Sequence, residues 1–440
     1  MHATAARRVA KSIAIACAAF MLLGLFFIQV RYVGTTTGLL PVQKAEASAL
    51  MVPPRMDGEG AVTVEYCSEV VAAHDPANPS GRTSTRLLFD DAWLDRDALA
   101  YQHELATACS VLAAVCNSES QFYGNVEGAK PYAELALGAL GFDDVRTDSY
   151  ALRSDVLDEI GAFFAGSHDV AAYTLASKTV PGKNGEPPTT ILFVGIRGSY
   201  GIEWLSNFNF MNPTDADHQG FKKAEQEVEA ALFQYARERG ADPQHTRVLI
   251  TGHSRGGAIA NLLAARLDDL SGTPQQLAPA SSVFAYTFAA PCATMSLSRQ
   301  DSRYGNVFNV VNDADIVPQL PLSLWGYGRY GTTVALPAAQ SASFDALYGS
   351  MQTAYRENTG RAYAVDEDTL ATLGSFETNV ARTVPDVETL ASPVGVFGTL
   401  QSLAALDCSA AIDSHCPDAY IAWMQATDPD HLAFHSPDAH

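Results

Sequence analysis

Six residues near the middle of the chain, Gly252-His253-Ser254-Arg255-Gly256-Gly257, constrain the fold more than any other feature. A β-branched run, Thr246-Arg247-Val248-Leu249-Ile250-Thr251, leads in, and an Ala/Leu-rich amphipathic stretch from Ala258 to Leu270 leads out. A chain of 440 residues carries about 0.2 bare G-x-S-x-G pentapeptides by chance. The flanking pattern is therefore what makes the motif specific: strand, sharp turn, helix, the arrangement of a nucleophile elbow. Such a turn leaves no room for side chains at Gly252 and Gly256. It holds Ser254 Oγ at a helix N-terminus, where the dipole and the first-turn amides favour developing negative charge.

The composition, 47% hydrophobic and 18% charged, suits a large core and excludes a disordered chain. A net charge of −21 argues against nucleic-acid binding, because little here would neutralise phosphates, and against electrostatic docking on anionic membranes. Arg7, Arg8 and Lys11 precede an apolar run from Ser12 to Val30 whose one strongly polar residue is Gln29. Its 19 residues, at about 1.5 Å each, nearly span a bilayer: long for a cleaved signal and short for an anchor. Ala45-Glu46-Ala47 resembles a cleavage site, and Cys17 has no lipobox around it. Residues 1–47 thus read as a signal peptide or N-terminal membrane anchor. Either places the remainder outside the cytoplasm, secreted or at the cell surface.

Six cysteines follow that segment: Cys67, Cys109, Cys116, Cys292, Cys408 and Cys416. Cys109 and Cys116 fall two helical turns apart, about 10 Å, too far to pair. Cys408 and Cys416 could close a short loop around His415, and buried free thiols are an equal alternative. No C-x-x-C or H-E-x-x-H spacing occurs, so neither a metal nor a cofactor is expected.

Residues 48–100 read as an N-terminal extension, with Pro53-Pro54 and the Pro76, Asn78, Pro79, Ser80, Gly81 cluster as loop. Helical spacing runs from Tyr101 to Cys116, Tyr132 to Leu140, and Phe221 to Arg239. Strand candidates are Val170 to Leu175, Thr189 to Ile196, Ser282 to Phe288 and Asn306 to Val311. Near-continuous apolar strands alternating with helices predict an α/β fold with a mostly parallel central sheet and helices on both faces. The main domain is placed at residues 101–428, with a helical insertion at about 336–406, and residues 429–440 read as a polar tail.

A serine nucleophile needs a base and a group to orient that base, and in elbow enzymes these follow as Ser, then Asp or Glu, then His. The Asn306–Val311 strand opens into Asn312-Asp313-Ala314-Asp315-Ile316-Val317-Pro318, where Asp313 and Asp315 both qualify by position as the orienting acid. His415, on an expected loop before the helical Asp418 to Thr427 stretch, is the candidate base. His431, His435 and His440 sit in the polar tail. His253 is committed by its backbone to the elbow, and its ring is expected to pack or hydrogen-bond beneath it, away from Ser254 Oγ.

These blocks together resemble the class-three, fungal-type lipase family of the α/β-hydrolases. Ile196-Arg197-Gly198-Ser199 followed by Glu203-Trp204-Leu205-Ser206-Asn207 is similar to the family's Arg-Gly-(Ser/Thr) strand end and Trp-Leu segment. His218-Gln219-Gly220-Phe221 is similar to its His-x-Gly-Phe block. Asp315-Ile316-Val317-Pro318-Gln319-Leu320-Pro321 is similar to its acid loop, and His415 to Tyr420 to its final block. The resemblance covers roughly residues 100–425. It implies an α/β-hydrolase fold, a Ser254-Asp315-His415 triad with Asp315 in preference to Asp313, and an oxyanion hole from the amides of Ser199 and Arg255. Arg255 departs from the family's usual Leu, which changes a side chain near the acyl site and leaves the amide. Tyr200 to Leu205 is short for the family's lid helix, so lid and connector both stand. The function expected is an exported serine ester hydrolase acting on a lipid or other ester, with residues 12–30 as a membrane tether if retained. The alternatives are a non-catalytic surface binding protein on the same fold, and an acyltransferase to a cell-envelope acceptor.

Overall fold

The computed structural model describes residues 55–118 except 59 and 79, 132–148, 171–198 except 183–184, 216–386 except 342–343 and 364, scattered positions from 389 to 402, and 406–435. The N-terminal apolar run, Ser199, the Tyr200–Leu205 segment and His440 lie outside the described residues.

In chain order the elements are β1 (Arg55–Gly58), β2 (Ala61–Cys67), α1 (Glu69–His74), β3 (Arg82–Leu88), α2 (His103–Asn117), α3 (Tyr132–Ala139), β4 (Asp143–Asp148), β5 (Tyr173–Val180) and β6 (Thr189–Ile196). Then follow α4 (Gln219–Glu238), β7 (Thr246–His253), α5 (Arg255–Leu270), β8 (Val283–Phe288), β9 (Val307–Val311) and β10 (Thr332–Ala335). After these come α6 (Phe344–Thr359), α7 (Glu367–Gly374), α8 (Phe376–Thr383), α9 (Cys408–His415), α10 (Pro417–Ala426) and β11 (Ala433–His435).

The main sheet has eight strands in the order β11-β10-β9-β8-β7-β6-β5-β4. Strands β6 to β10 run parallel, and the flanking pairs β4/β5, β5/β6 and β10/β11 are antiparallel. This is the mostly parallel α/β sheet expected. Side chains alternate across it with the period of two that a strand imposes. Leu249, Phe284, Tyr286, Phe288 and Val310 enter a core shared with α2 and α10. Val248, Ile250, Val283, Ala285 and Val307 enter the opposite core with α4 and α5. Helix α4 presents Phe221, Ala224, Val228, Leu232 and Tyr235, a single face at helical spacing. Each such large side chain taken out of water contributes about 1.5–3 kcal/mol, so strands apolar on both faces are stable only in the middle of the sandwich.

Several elements were not expected. Strands β1, β2 and β3 form a separate antiparallel sheet in the region read as extension. The Pro76–Gly81 cluster is indeed a loop, but Val62, Val64 and Tyr66 of β2 point into the same core as α2 and α10. Strand β5 runs from Tyr173 to Val180, five residues beyond the expected end at Leu175; Val170 lies outside the described residues. The tail is not wholly loose: Ala433–His435 pairs antiparallel with β10 as an exposed edge strand, too short to announce itself. Helices α6, α7 and α8 occupy the place of the expected insertion.

Asp268, in the last turn of α5, is buried, and its Oδ1 accepts the Asn306 Nδ2–H at 3.0 Å. Among the described residues, Asp268 Oδ2 and Asn306 Oδ1 have no hydrogen-bond partner. Burial pushes the Asp268 carboxyl up to about 8, against the bond from Asn306. An unfolded aspartate titrates near about 3.9. The folded chain thus holds a proton that the unfolded chain releases, and stability present below about pH 4 is lost as pH rises through about 8. Glu225, pushed by burial up to about 7, acts in the same direction. The test is therefore a difference: melting curves from pH 5 to 9 should show Asp268→Asn losing less stability toward alkaline pH than wild type. Parallel profiles would refute the assignment.

Candidate active site

The elbow follows from glycines that nothing else could replace. A Cβ on Gly252 would lie 2.4 Å from Gly256 O, and one on Gly256 would lie 2.2 Å from Ile196 O. The backbone of β7 can thus meet α5 and β6 only if both positions stay bare. Between them Ser254 takes φ 56° and ψ −127°, a sparsely populated conformation for a non-glycine residue. It costs on the order of 1–3 kcal/mol and persists because the surroundings fix it. Here the Ser254 amide donates to Phe288 O at 2.9 Å, and Ser254 O accepts the Ala258 amide at 3.1 Å. The side chain is thereby turned out of the strand at the N-terminal end of α5, in a site that is only 4% exposed.

His415 meets it from the other end of the chain. Its Nε2 lies 3.0 Å from Ser254 Oγ and its Nδ1 lies 2.8 Å from Asp315 Oδ2. A carboxylate only accepts, so Nδ1 carries the ring proton and Nε2 presents its lone pair to the hydroxyl. Asp315 is fully buried and has every oxygen occupied. Oδ1 accepts the Val317 amide at 2.9 Å, and Oδ2 accepts the Tyr420 hydroxyl at 2.8 Å besides His415. Asp313 is turned elsewhere: its Oδ2 lies where a Cβ on Gly374 would be, only 2.2 Å from it, and burial raises its pKa.

His415 is not on a loop as expected. It ends helix α9, which Asp407 caps by accepting the Ser409 and Ala410 amides and which stops where Pro417 opens α10. His253 turns away from Ser254 Oγ; its Nε2–H donates to the carbonyl of His415 at 2.8 Å. Burial, reinforced by the nearby His415, pushes its pKa well below the ordinary value, so the ring is neutral. His431 pairs with Asp428 at the surface and His435 lies on the exposed β11. Cys416, beside His415, is a buried free thiol, so the Cys408–Cys416 loop closure is not formed.

Of the expected oxyanion donors, Ser199 is outside the described residues, and Arg255 is the first residue of α5. The neighbouring Gly198 lies against the elbow: a Cβ there would be 2.6 Å from His253 O and 3.4 Å from Ser254 Cβ. Its amide donates to Asn117 Oδ1 at 2.9 Å, which ties the strand end to α2. Asn117, Asn312 and Tyr420 were given no role in the sequence, because nothing in a lone Asn or Tyr distinguishes a hydrogen bond to a distant segment. Among the described residues no group of three His, Cys, Asp or Glu is placed to hold a metal.

The family model for lipase (class 3) matches residues 193–325, the stretch from β6 through the elbow and the acid loop. Over that stretch the chain is similar to the class 3 lipases. A secreted mono- and diacylglycerol lipase 1 of Fusarium solani is 31% identical over 146 residues, 31% of this chain and 41% of that protein. A secreted mono- and diacylglycerol lipase A of Penicillium cyclopium is 26% identical over 189 residues, 41% of this chain and 53% of that one. The chain thus spans about half the length of the curated relatives it matches. The crystal structure of a lipase from Rhizopus microsporus var. chinensis aligns with a TM-score of 0.35 at 17% identity, covering 64% of this chain and 84% of that one.

The two acidic candidates are separable by mutation. Asp315→Asn should lower kcat by about 10⁴, the cost of losing the orienting carboxylate in the serine-protease triad, whereas Asp313→Asn should stay within about tenfold of wild type. Equal impairment of the two variants, read by steady-state kinetics on a chromogenic ester, would remove Asp315 from the role.

Proposed function

We propose that this protein is a class 3 lipase-like, exported serine ester hydrolase that works through an acyl-enzyme on Ser254. The observation that carries the proposal is the chain of hydrogen bonds from Ser254 Oγ through His415 to Asp315, built from segments 161 and 100 residues apart. A surface binding protein has no use for that alignment or for a strained serine.

In this reading His415 Nε2 takes the Ser254 Oγ proton as Oγ attacks the ester carbonyl carbon. The carbonyl oxygen becomes an oxyanion at the positive end of the α5 dipole, where the Arg255 amide is the proposed donor, with Ser199 as the second donor that the sequence resemblance implies. As the tetrahedral intermediate collapses, the carbon–oxygen bond to the alcohol breaks, and that alcohol leaves with the proton from His415. Water then repeats the sequence, giving its proton to Nε2 and releasing the free acid and the Ser254 hydroxyl. Asp315 stays ionised, holds the Nδ1–H tautomer and offsets the imidazolium charge. Its three hydrogen bonds satisfy both oxygens of a buried carboxylate.

The curated relatives named above support an acylglycerol or similar lipid ester as substrate and an extracytoplasmic site of action. The basic residues and apolar run at residues 7–30 suit export. Fungal-type lipid esters and short soluble esters differ in how much apolar surface the cleft must accept, so substrate preference is open to direct measurement.

Ser254→Ala removes one hydroxyl and should leave melting behaviour close to wild type while turnover of a p-nitrophenyl ester series and of emulsified diacylglycerol drops by several powers of ten. Turnover within tenfold of wild type would overturn the proposal.

A further inference from the structure

The last carbonyl groups of a helix have no partners within it, and α9 ends on the proposed base itself. Two of these carbonyls are met by side chains from other parts of the site. Ser414 O accepts the Asn312 Nδ2–H at 3.0 Å, and His415 O accepts the His253 Nε2–H at 2.8 Å. The donors are not arbitrary. His253 immediately precedes Ser254, and Asn312 lies three residues before Asp315. The backbone around His415 is therefore fastened once to the segment that carries the nucleophile and once to the segment that carries the acid.

Both donors are themselves fixed. Asn312 accepts the Ala314 amide at 3.2 Å through Oδ1, which sets the amide orientation, and its own N–H donates to the Tyr420 hydroxyl at 3.1 Å. The His253 ring lies 4.9 Å from the His415 ring and edge-on to Tyr420 at 5.7 Å. Both side chains are buried. A backbone carbonyl left unmet in such a place carries its full desolvation cost, and the helix end would shift to relieve it. Displacing a reacting group by about 1 Å can cost about 100-fold in rate.

We propose that His253 and Asn312 are positioning residues that hold His415 in register with Ser254 and Asp315 by clamping the two terminal carbonyls of α9. This rests on those three residues acting as proposed above. Neither His253 nor Asn312 touches the substrate or exchanges a proton with it. His253 stays neutral throughout and supplies one N–H.

The test uses the full chain and compares His253→Phe, His253→Gln and Asn312→Leu with wild type. Readouts are kcat and KM on a soluble short-chain ester, the rate at which a fluorophosphonate probe labels Ser254, and thermal melting. His253→Phe keeps the ring and loses the donor; Asn312→Leu does the same for the amide. Each should lower kcat and the labelling rate together by about 10- to 100-fold with KM within about twofold. His253→Gln, which restores an N–H at similar reach, should recover most of the loss. Folded His253→Phe or Asn312→Leu protein that labels and turns over at the wild-type rate would overturn the clamp. So would a folded His253→Gln protein as impaired as His253→Phe. If His253→Phe does not fold, Asn312→Leu and the recovery by His253→Gln decide the matter. A wild-type protein that the probe does not label, or that it labels equally after Ser254→Ala, would instead defeat the ester hydrolase reading.

Discussion

A fully buried carboxylate is the demand around which this site is arranged. At 0% exposure the oxygens of Asp315 must all find partners, because a polar group left unpaired there carries its full desolvation cost. The Val317 amide, the Tyr420 hydroxyl and the His415 ring supply the three bonds, and they come from the acid loop, α10 and α9. Satisfying the carboxylate therefore forces the C-terminal helices against the carboxyl ends of the parallel strands. The proposed base is placed as a consequence: its Nδ1–H is one of the donors the acid requires.

The same economy governs the supporting parts. Asp418, at the start of α10, is also buried, and accepts the hydroxyls of Tyr66 and Ser68 at 2.7 and 2.9 Å. These residues belong to β2 and the turn after it, in the N-terminal sheet. That sheet thus does more than extend the chain, since it supplies the hydrogen-bond donors to the buried carboxyl of the helix that follows His415 and packs Val62 and Val64 into the shared core. Losing the sheet would leave both a carboxylate and an apolar face without partners next to the site.

Legibility in the sequence followed the range of the interactions. The strands β6, β7, β8 and β9 could be read because each is a local apolar run, and the elbow because its glycines are required by contacts within a few residues. His415 was a candidate because catalytic chemistry in a fixed chain order restricts the choices; the same order left Asp313 and Asp315 both open, and the family resemblance alone favoured Asp315. The helix ending at His415 could not, since an eight-residue Ala/Ser segment gains its stability from Asp407 at one end and from distant side chains at the other. Strands β10 and β11 were invisible for a similar reason: four and three residues carry too little pattern, and their partners in the sheet hold them. The clamp by His253 and Asn312 is more remote still, joining residues 162 and 102 positions apart.

These separations bear on how such a domain tolerates change. Between Asp315 and His415 the chain travels through β10 and three helices of the insertion before it returns. Loop-closure entropy grows only slowly with length, so added residues there cost little provided that the returning segment finds its place. In a site whose base was held only by local structure, that return would be loosely registered. Here the register is set on arrival, by hydrogen bonds from both the nucleophile and the acid segments to the end of α9. Composition within the insertion is constrained all the same, because Phe344, Met351, Tyr355, Leu373, Phe376 and Val380 of α6, α7 and α8 enter the core shared with α10, so these helices help to seat the returning segment.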